Sequence, residues 1–166
     1  MPTGHWPAEA AHTDEYLQVA PGICYMNIPA RDKYVPGGEM WVTESGDAGG
    51  GGDTWASTYL DVLRTLNELG SFCTLTNGVI FHNTLASSDY GFLQHGSFDP
   101  RPNYFAALLW NRLMGSECYK VEDAPQTEGA HVYCHSSKDG RGNYCYLIIN
   151  NSLAEETLVS VPKHSY

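Results

Sequence analysis

The stretch that decides the fold is residues 40–55, which read MWVTESGDAGGGGDTW. Residues 40–43 predict a short apolar strand, and this strand delivers one carboxylate, that of Glu44, to its end. A glycine-rich loop follows, and Asp53 then begins a predicted helix over 53–69. In α/β proteins, side chains at the carboxyl ends of strands commonly carry the chemistry. Glu44 is therefore a candidate catalytic residue, and its alternative roles are a cap or an exposed loop charge.

Helical and strand patterns alternate on the carboxyl side of this stretch. The helix over 53–69 presents one apolar face and meets Gly70, which predicts a left-handed stop. Residues 79–82 predict a buried strand that ends in His82-Asn83. A further helix is predicted over 104–114. This order of elements is typical of parallel α/β units.

The ends of two helices are marked by capping and breaking residues. A capped helix begins at Thr13 and is predicted to be interrupted by Pro21-Gly22. The helix over 104–114 is predicted to end at Gly115. Its inward face is predicted to consist of four apolar side chains: Phe105, Leu108, Leu109 and Leu113.

After Gly115 the pattern changes to alternating apolar and polar residues. Strands are predicted over 131–135, 144–149 and 157–161, with Gly- and Asn-rich turns between them. Such strands form antiparallel sheets, and three are too few to close a sandwich. The sequence therefore predicts a chain that is α/β in its first part and β in its second.

The composition excludes several classes of partner. Nine basic against nineteen acidic residues give a net charge of −10. Nucleic acid and anionic lipid both bind clusters of Lys and Arg, so neither is a predicted partner. No run of about 18 apolar residues is present, and no membrane span is predicted.

The cysteines and histidines predict neither a metal site nor a redox motif. The five cysteines include no C-x-x-C pair, which argues against zinc-ribbon and thioredoxin-like sites. Cys134 and Cys145 fall in neighbouring predicted strands, and two interpretations stay open: a disulfide in an oxidising compartment, or buried free thiols. The seven histidines show no H-E-x-x-H or similar spacing, so no metal is predicted.

The glycine loop has three possible roles. Glycines permit close approach, and their converging backbone N–H groups bind anions. A nucleotide phosphate loop would need Gly-Lys-Ser/Thr, which the sequence lacks. A flexible linker is the remaining alternative.

Short motifs follow one another from about residue 38 onward: 41–46 (WVTESG), 53–54 (DT), 82–83 (HN), 89–91 (DYG), 98–104 (FDPRPNY), 107–115 (ALLWNRLMG), 131–135 (HVYCH) and 147–150 (LIIN). In this order they resemble family 79 of the glycoside hydrolases, the group of heparanase and the plant and microbial β-glucuronidases. Family members fold as a (β/α)₈ TIM barrel followed by a β-sandwich. The resemblance therefore implies both a fold and a chemistry.

The fold implied by the resemblance divides the chain in two. Residues 1–115 correspond to the C-terminal part of a (β/α)₈ catalytic barrel, its last two to three βα units. Residues 116–166 correspond to a partial β-sandwich domain, the first strands of an antiparallel sandwich. A whole barrel takes roughly 250 residues. The resemblance thus implies that the chain is a C-terminal portion of a longer protein, completed by an upstream segment or by a second chain.

The chemistry implied by the resemblance is retaining hydrolysis of β-glucuronides or related glycosides. Glu44 matches the nucleophile of the family. Gly50 and Gly51 match loop glycines whose N–H groups face the sugar carboxylate, and Tyr90 matches a tyrosine that contacts it. Asn83 stands where relatives often have Gln and is expected to bind the sugar, whereas His82 stands where they often have Arg.

A second carboxyl group is not apparent from the motifs. In the family, the acid/base comes from an Asn-Glu motif on an upstream strand. The one Asn-Glu pair of this sequence, Asn67-Glu68, lies inside a predicted helix. Asp47 and Asp89 adjoin turn residues, which explains both without a catalytic role. The resemblance therefore implies that the acid/base lies outside this chain.

Other implications concern partners and compartment. The chemistry needs no cofactor, and the expected partner is a carbohydrate or glycoside. The acidic composition disfavours a highly sulfated polysaccharide. A non-catalytic carbohydrate-binding relative and one chain of a processed two-chain enzyme are the alternatives. The family implies a secreted, lysosomal or vacuolar protein, in which the Asn150-Asn-Ser152 sequon would gain meaning.

Overall fold

The computed structural model describes residues 4–122 and 129–161, which contain four α-helices and five β-strands. The helices are α1 (Asp14–Leu17), α2 (Val19–Tyr34), α3 (Leu60–Leu75) and α4 (Pro102–Leu113). The strands are β1 (Val42–Ser45), β2 (Ile80–His82), β3 (Met114–Tyr119), β4 (His131–Ser137) and β5 (Tyr144–Ile149). The chain is therefore mixed α/β up to α4 and mainly β beyond it, and the described residues form no closed barrel.

Strands β1 and β2 form a parallel pair joined through helix α3. Val42 pairs with Ile80 and Ser45 with His82, with an irregularity between the two positions. Parallel strands need such a crossover connection because the carboxyl end of the first strand and the amino end of the second lie at opposite ends of the strand pair. The predicted alternation of helix and strand is confirmed here, and it brings the carboxyl ends of β1 and β2 side by side.

Strands β3, β4 and β5 form a separate antiparallel sheet in that order. One face of this sheet packs on helices α3 and α4 through a cluster of buried apolar residues: Val62, Leu66, Ala106, Tyr133 and Ile149. Strand β3 was not apparent from the sequence, and the strand predicted over 157–161 is wrong, because that segment carries no β-structure. Leu158 is almost fully exposed there. Sheet partners, rather than local alternation, decide which of these segments becomes a strand.

Helix α3 continues past the glycine that was predicted to end it. Gly70 lies inside the helix, and a Cβ placed on it would come within 2.3 Å of the Tyr133 ring. The β-sheet approaches the helix so closely at this point that only glycine fits. The prediction of a left-handed stop is wrong, and the helix ends further along, at Leu75.

Helix α4 contacts its neighbours through a smaller face than the sequence predicts. Phe105, Leu109 and Leu113 are exposed, whereas Ala106 is buried. A small side chain allows α4 to approach α3 closely, which turns the larger residues outward. The helix passes directly into β3 at Met114, so Gly115 does not end it.

The predicted cap at Thr13 is confirmed, but the predicted interruption after it is wrong. The Thr13 hydroxyl accepts a hydrogen bond from the Tyr16 amide at 3.3 Å. Helix α2 begins at Val19 and runs through Pro21-Gly22. Proline is tolerated there because the first turn of a helix needs no donor from that position.

The cysteines are free thiols in the structure. Cys134 lies opposite Tyr146 in the β4–β5 ladder, and Cys145 lies opposite His135. Because alternate residues of a strand point to opposite faces, the Cys134 and Cys145 side chains are on different faces of the sheet. The geometry therefore favours the free-thiol interpretation over a disulfide between these two residues. Within the described ranges, no helix has the length and apolar character that a membrane span requires.

Helix α3 buries three ionisable side chains together. The Arg64 guanidinium lies 2.6 Å from an Asp61 carboxylate oxygen and 2.5 Å from one of Glu68. All three side chains are almost completely buried. Burial raises the pKa of Glu68 to about 7, even though the positive charge of Arg64 lowers it. Burial likewise raises the pKa of Asp61.

We expect the stability of the chain to fall with rising pH because of Glu68. The folded state holds the Glu68 proton more tightly than the unfolded chain, whose carboxyl has the ordinary pKa of 4.5. This stability is therefore complete below pH 4.5 and is lost as the pH rises to about 7. The loss amounts to about 3 kcal/mol of unfolding free energy.

Urea unfolding of the chain and of Glu68→Gln between pH 4 and pH 8 measures this effect. Glutamine cannot ionise, so the variant should gain stability relative to the parent as the pH rises. Glu117→Gln, which changes an exposed carboxylate of β3, is the matched control and should leave the profile unchanged. A constant difference between Glu68→Gln and the parent across the range would contradict the assignment.

Candidate active site

The candidate site lies at the carboxyl ends of β1 and β2. Strand β1 begins and ends two positions later than the predicted strand, so it includes Glu44 and ends at the buried residue Ser45. The Asn83 backbone amide donates to the Ser45 carbonyl at 2.6 Å, which extends the pairing one residue beyond β2. The parallel register therefore places Asn83 beside Glu44, whose side chain is exposed.

Asn83 connects two of the predicted site residues. Its side-chain nitrogen donates to the Glu44 carboxylate at 2.8 Å and to the Tyr90 hydroxyl at 3.3 Å. The amide group has two hydrogens, so it can make both bonds at once. The structure thus brings Glu44, Asn83 and Tyr90 into one hydrogen-bonded group.

Tyr90 is held in a slot between two glycines. A Cβ on Gly52 would lie 2.2 Å from the Tyr90 ring, and a Cβ on Gly46 would lie 3.0 Å from it. Any larger residue at either position would displace the ring. The Tyr90 carbonyl accepts a hydrogen bond from the Asn103 side chain at 2.8 Å. The ring is buried, and its hydroxyl reaches the group formed by Glu44 and Asn83.

The glycine loop is closed by a buried carboxylate. Asp47 accepts hydrogen bonds from the Asp53 amide and the Tyr16 hydroxyl, each at 2.8 Å. Burial raises the pKa of Asp47, and these two hydrogen bonds lower it. Because Asp47 is fully buried, its role is to fix the loop and not to act as a second catalytic carboxylate.

Gly50, which is exposed, and Gly51, which is half-buried, form the bend of this loop. Their φ angles are 77° and 119°, values that L side chains rarely adopt. A Cβ on either residue would meet no neighbour within 4 Å, so open space surrounds both glycines. The Gly51 carbonyl accepts a bond from the Asp89 amide at 3.0 Å, which ties the bend to the segment carrying Tyr90. All the predicted site residues therefore belong to connected segments.

Asp53 lies where a helix cap was predicted but does not cap. It precedes a 3₁₀ turn (Thr54–Ser57), and its side chain makes no bond to that turn. The carboxylate instead accepts bonds from the His5 ring at 2.8 Å and the Trp6 amide at 3.2 Å. Asp53 thus joins the amino-terminal segment to the loop. Its hydrogen bond raises the pKa of His5.

The His82 ring contacts the segment that carries Tyr90. Its Nε2 lies 3.0 Å from the Tyr90 carbonyl, to which it donates, and its ring stacks on Phe92 with 3.9 Å between centroids. Burial and, to a smaller extent, the positive charge of Arg64 lower the pKa of His82 to about 4. The ring is therefore neutral near pH 7 and adds no positive charge to the site.

The sequence did not reveal the residues that support the site. Gly46, Gly52 and Asn103 fix Tyr90 through the contacts described above. Arg101 donates to the carbonyls of Ser88 and Asp89 and so holds the segment before Tyr90. Arg101 and Asn103 both belong to motif 98–104, and each directly follows a proline. This pattern marks the segment, but only the tertiary contacts show what the two side chains bind. Across residues 4–122 and 129–161, no three His, Cys, Asp or Glu side chains cluster as metal ligands.

The sequence is similar to those of several known proteins. The chain is 39% identical over 130 residues to heparanase-like protein 1 of Arabidopsis thaliana, an alignment that covers 76% of the chain and 23% of that protein. It is 33% identical over 127 residues to baicalin-beta-D-glucuronidase of Scutellaria baicalensis, covering 76% and 24% respectively. The chain thus spans about a quarter of the length of these relatives.

A third relative carries a different description. The chain is 28% identical over 126 residues to a mouse protein named inactive heparanase-2, covering 67% of the chain and 21% of that protein. No protein-family model matches the chain.

Proposed function

Because this chain is a relative of the heparanases and β-glucuronidases of glycoside hydrolase family 79, we propose that it carries the nucleophile, Glu44, of a retaining glycosidase. The observation that carries the proposal is the hydrogen bond of 2.8 Å from Asn83 to the exposed Glu44 carboxylate. A nucleophilic carboxylate must be ionised, oriented and open to substrate. A donor fixed by the β2 register orients Glu44, and the exposed strand end leaves it open to substrate.

The proposed reaction has two steps. A Glu44 oxygen attacks the anomeric carbon, and the bond to the leaving oxygen breaks while that oxygen takes a proton from a carboxylic acid. Water then attacks the glycosyl-enzyme, gives its proton to the same acid residue, and releases the sugar and Glu44. Retention requires that the two carboxyl groups lie about 5 Å apart.

The acid/base is proposed to lie on polypeptide outside the described residues. Asp47 and Glu68 are buried and hydrogen-bonded, and neither is open to substrate. The Asp89 carboxylate lies 3.9 Å from the Arg101 guanidinium, and the Asp89 amide donates to the Gly51 carbonyl. An upstream segment or a second chain would supply the acid/base, in accordance with the longer relatives.

The proposed substrate is a β-glucuronide or a related glycoside. The backbone N–H groups of Gly50 and Gly51 would bind the sugar carboxylate, since converging backbone donors on glycines bind anions. The Tyr90 hydroxyl and the Asn83 amide would bind the same sugar. The name of the Scutellaria relative, a β-D-glucuronidase, supports this substrate class.

The alternative function is carbohydrate binding without hydrolysis. The relative named inactive heparanase-2 makes this a specific candidate. The two functions differ in one property, because only a hydrolase passes through a covalent intermediate at Glu44.

Labelling with a 2-fluoro-β-glucuronide inactivator tests the proposal. The protein would be prepared with every segment or chain that copurifies with it, treated, digested and analysed by mass spectrometry. We expect one fluoroglucuronyl adduct, on Glu44, and none in Glu44→Gln. Glu39→Gln removes an exposed carboxylate just before β1 and should label normally. An adduct on another carboxylate would refute the assignment, and binding of β-glucuronides without any adduct would favour the non-catalytic alternative.

A further inference from the structure

Two thiols face the junction between the α/β part and the antiparallel sheet. Cys73 of α3 and Cys118 of β3 both line a cavity of about 490 Å³, and both also line a second cavity of about 630 Å³. The residues shared by both cavities are Cys73, Thr74, Leu75 and Cys118. The two cysteines therefore stand at the boundary where the helix and the strand approach one another.

The strand register shows which side of the sheet Cys118 occupies. Cys118 pairs with His135, and His135 pairs with Cys145, so these three side chains share one face. Cys134 pairs with Tyr119 and points to the opposite face. Within the described sheet, Cys145 is two strands away from Cys118, a separation of about 10 Å. Neither sheet cysteine is therefore placed to bond with Cys118.

Helix α3 packs on the face that carries Cys118. Tyr133 shares this face with His135, and its hydroxyl lies 2.8 Å from that of Ser71. Gly70 contacts the Tyr133 ring directly. Cys73 lies three residues after Gly70, on the same side of the helix. The helix thus presents Cys73 toward the sheet face on which Cys118 lies.

We propose that Cys73 and Cys118 are a redox-responsive pair that closes to a disulfide between helix α3 and strand β3. The bond would join the α/β part covalently to the antiparallel sheet. The other three cysteines take no part in it. The function of such a bond would be to lock the junction when the chain enters an oxidising environment.

The oxidant in the proposed reaction is a small-molecule disulfide such as oxidised glutathione. The exposed Cys118 thiolate attacks one glutathione sulfur, which forms a mixed disulfide and releases one glutathione thiolate. The Cys73 thiolate then attacks the Cys118 sulfur and releases the second glutathione. Two protein thiols are oxidised, and one glutathione disulfide is reduced to two thiols.

The thiol environments predict slow closure at neutral pH. Burial and, to a smaller extent, the neighbouring Cys118 raise the pKa of Cys73 to about 11. Burial also raises the pKa of Cys118. Since the thiolate is the attacking species, closure should accelerate as the pH is raised from 7 to 9.

Oxidation of the full chain followed by alkylation, non-reducing digestion and mass spectrometry tests the proposal. In oxidised glutathione at pH 8.5 we expect a peptide pair joined through Cys73 and Cys118, and a melting temperature higher by roughly 5–10 °C than in reducing agent. Cys73→Ser and Cys118→Ser should both lose the joined pair and the temperature shift.

Cys145→Ser is the matched control, since it removes a thiol from the same sheet face and should retain the bond. In Cys73→Ser, glutathione should accumulate on Cys118, which shows that the folded strand is accessible. A stable mixed disulfide on Cys118 in the parent chain, a bond between any other pair, or the absence of oxidation would each overturn the proposal. None of these outcomes bears on the role of Glu44.

Discussion

Replacing Glu44 by glutamine will reduce kcat for β-glucuronide hydrolysis at least about 10³-fold in the assembled protein. The amide is too weak a nucleophile to form the glycosyl-enzyme, so the first step stops. The side-chain oxygen of the introduced glutamine can still accept the bond that Asn83 donates to Glu44 at 2.8 Å. Substrate affinity should therefore change little, and the loss should appear in kcat rather than in binding.

The measurement is steady-state hydrolysis of an aryl β-glucuronide together with binding of the same glycoside to the variant. Glu39→Gln, on the same segment, should retain activity within about twofold. Thermal unfolding of each variant separates a catalytic loss from a loss of fold. Hydrolysis by Glu44→Gln at the rate of the parent would remove Glu44 from the mechanism, whatever residue the inactivator labels.

The position of Glu44 could be predicted from the sequence because it depends on local features. A short apolar strand and a glycine loop identify a strand end, and a second strand end at His82-Asn83 follows one helix later. Parallel pairing then places the two ends together. The bond between Asn83 and Glu44 is a consequence of this register, although only the structure supplies its length.

The roles of Gly70 and the apolar residues of α4 could not be predicted because they depend on distant contacts. A glycine after an apolar helix face signals a stop, but Gly70 instead admits the ring of Tyr133 from strand β4. Likewise, the periodicity of 104–114 identifies an apolar face without showing which part of it is covered. Packing through Ala106 leaves Phe105 and Leu109 exposed.

The side chains that support the site could not be predicted for a related reason. Asn103 directly precedes the helix predicted over 104–114, which gives no sign that its side chain bonds both Asp61 and the Tyr90 carbonyl. The charges of α3 at positions 61, 64 and 68 have the i, i+3 and i+4 spacing of a solvated salt-bridge face. Sequence spacing is the same whether such a face is exposed or buried, so burial of the three charges required the structure.

Replacing Arg64 by methionine will lower the free energy of unfolding by about 3–5 kcal/mol at pH 7. Methionine fills a similar volume but leaves the Asp61 and Glu68 carboxylates buried without their cation. Asn103 and Thr65 still donate hydrogen bonds to Asp61, but neither carries a charge. A loss of this size is a large fraction of the roughly 5–15 kcal/mol that stabilises a typical domain.

Urea unfolding of the parent, Arg64→Met and Arg112→Met measures the effect of the buried cation. Arg112 lies in the last turn of α4 and is exposed, so its replacement should change the unfolding free energy by less than about 0.5 kcal/mol. Lower pH should restore part of the stability of Arg64→Met, because protonation removes the uncompensated charges. A loss below about 1 kcal/mol, or one that does not depend on pH, would show that solvent reaches the carboxylates and that their burial does not control the stability of α3.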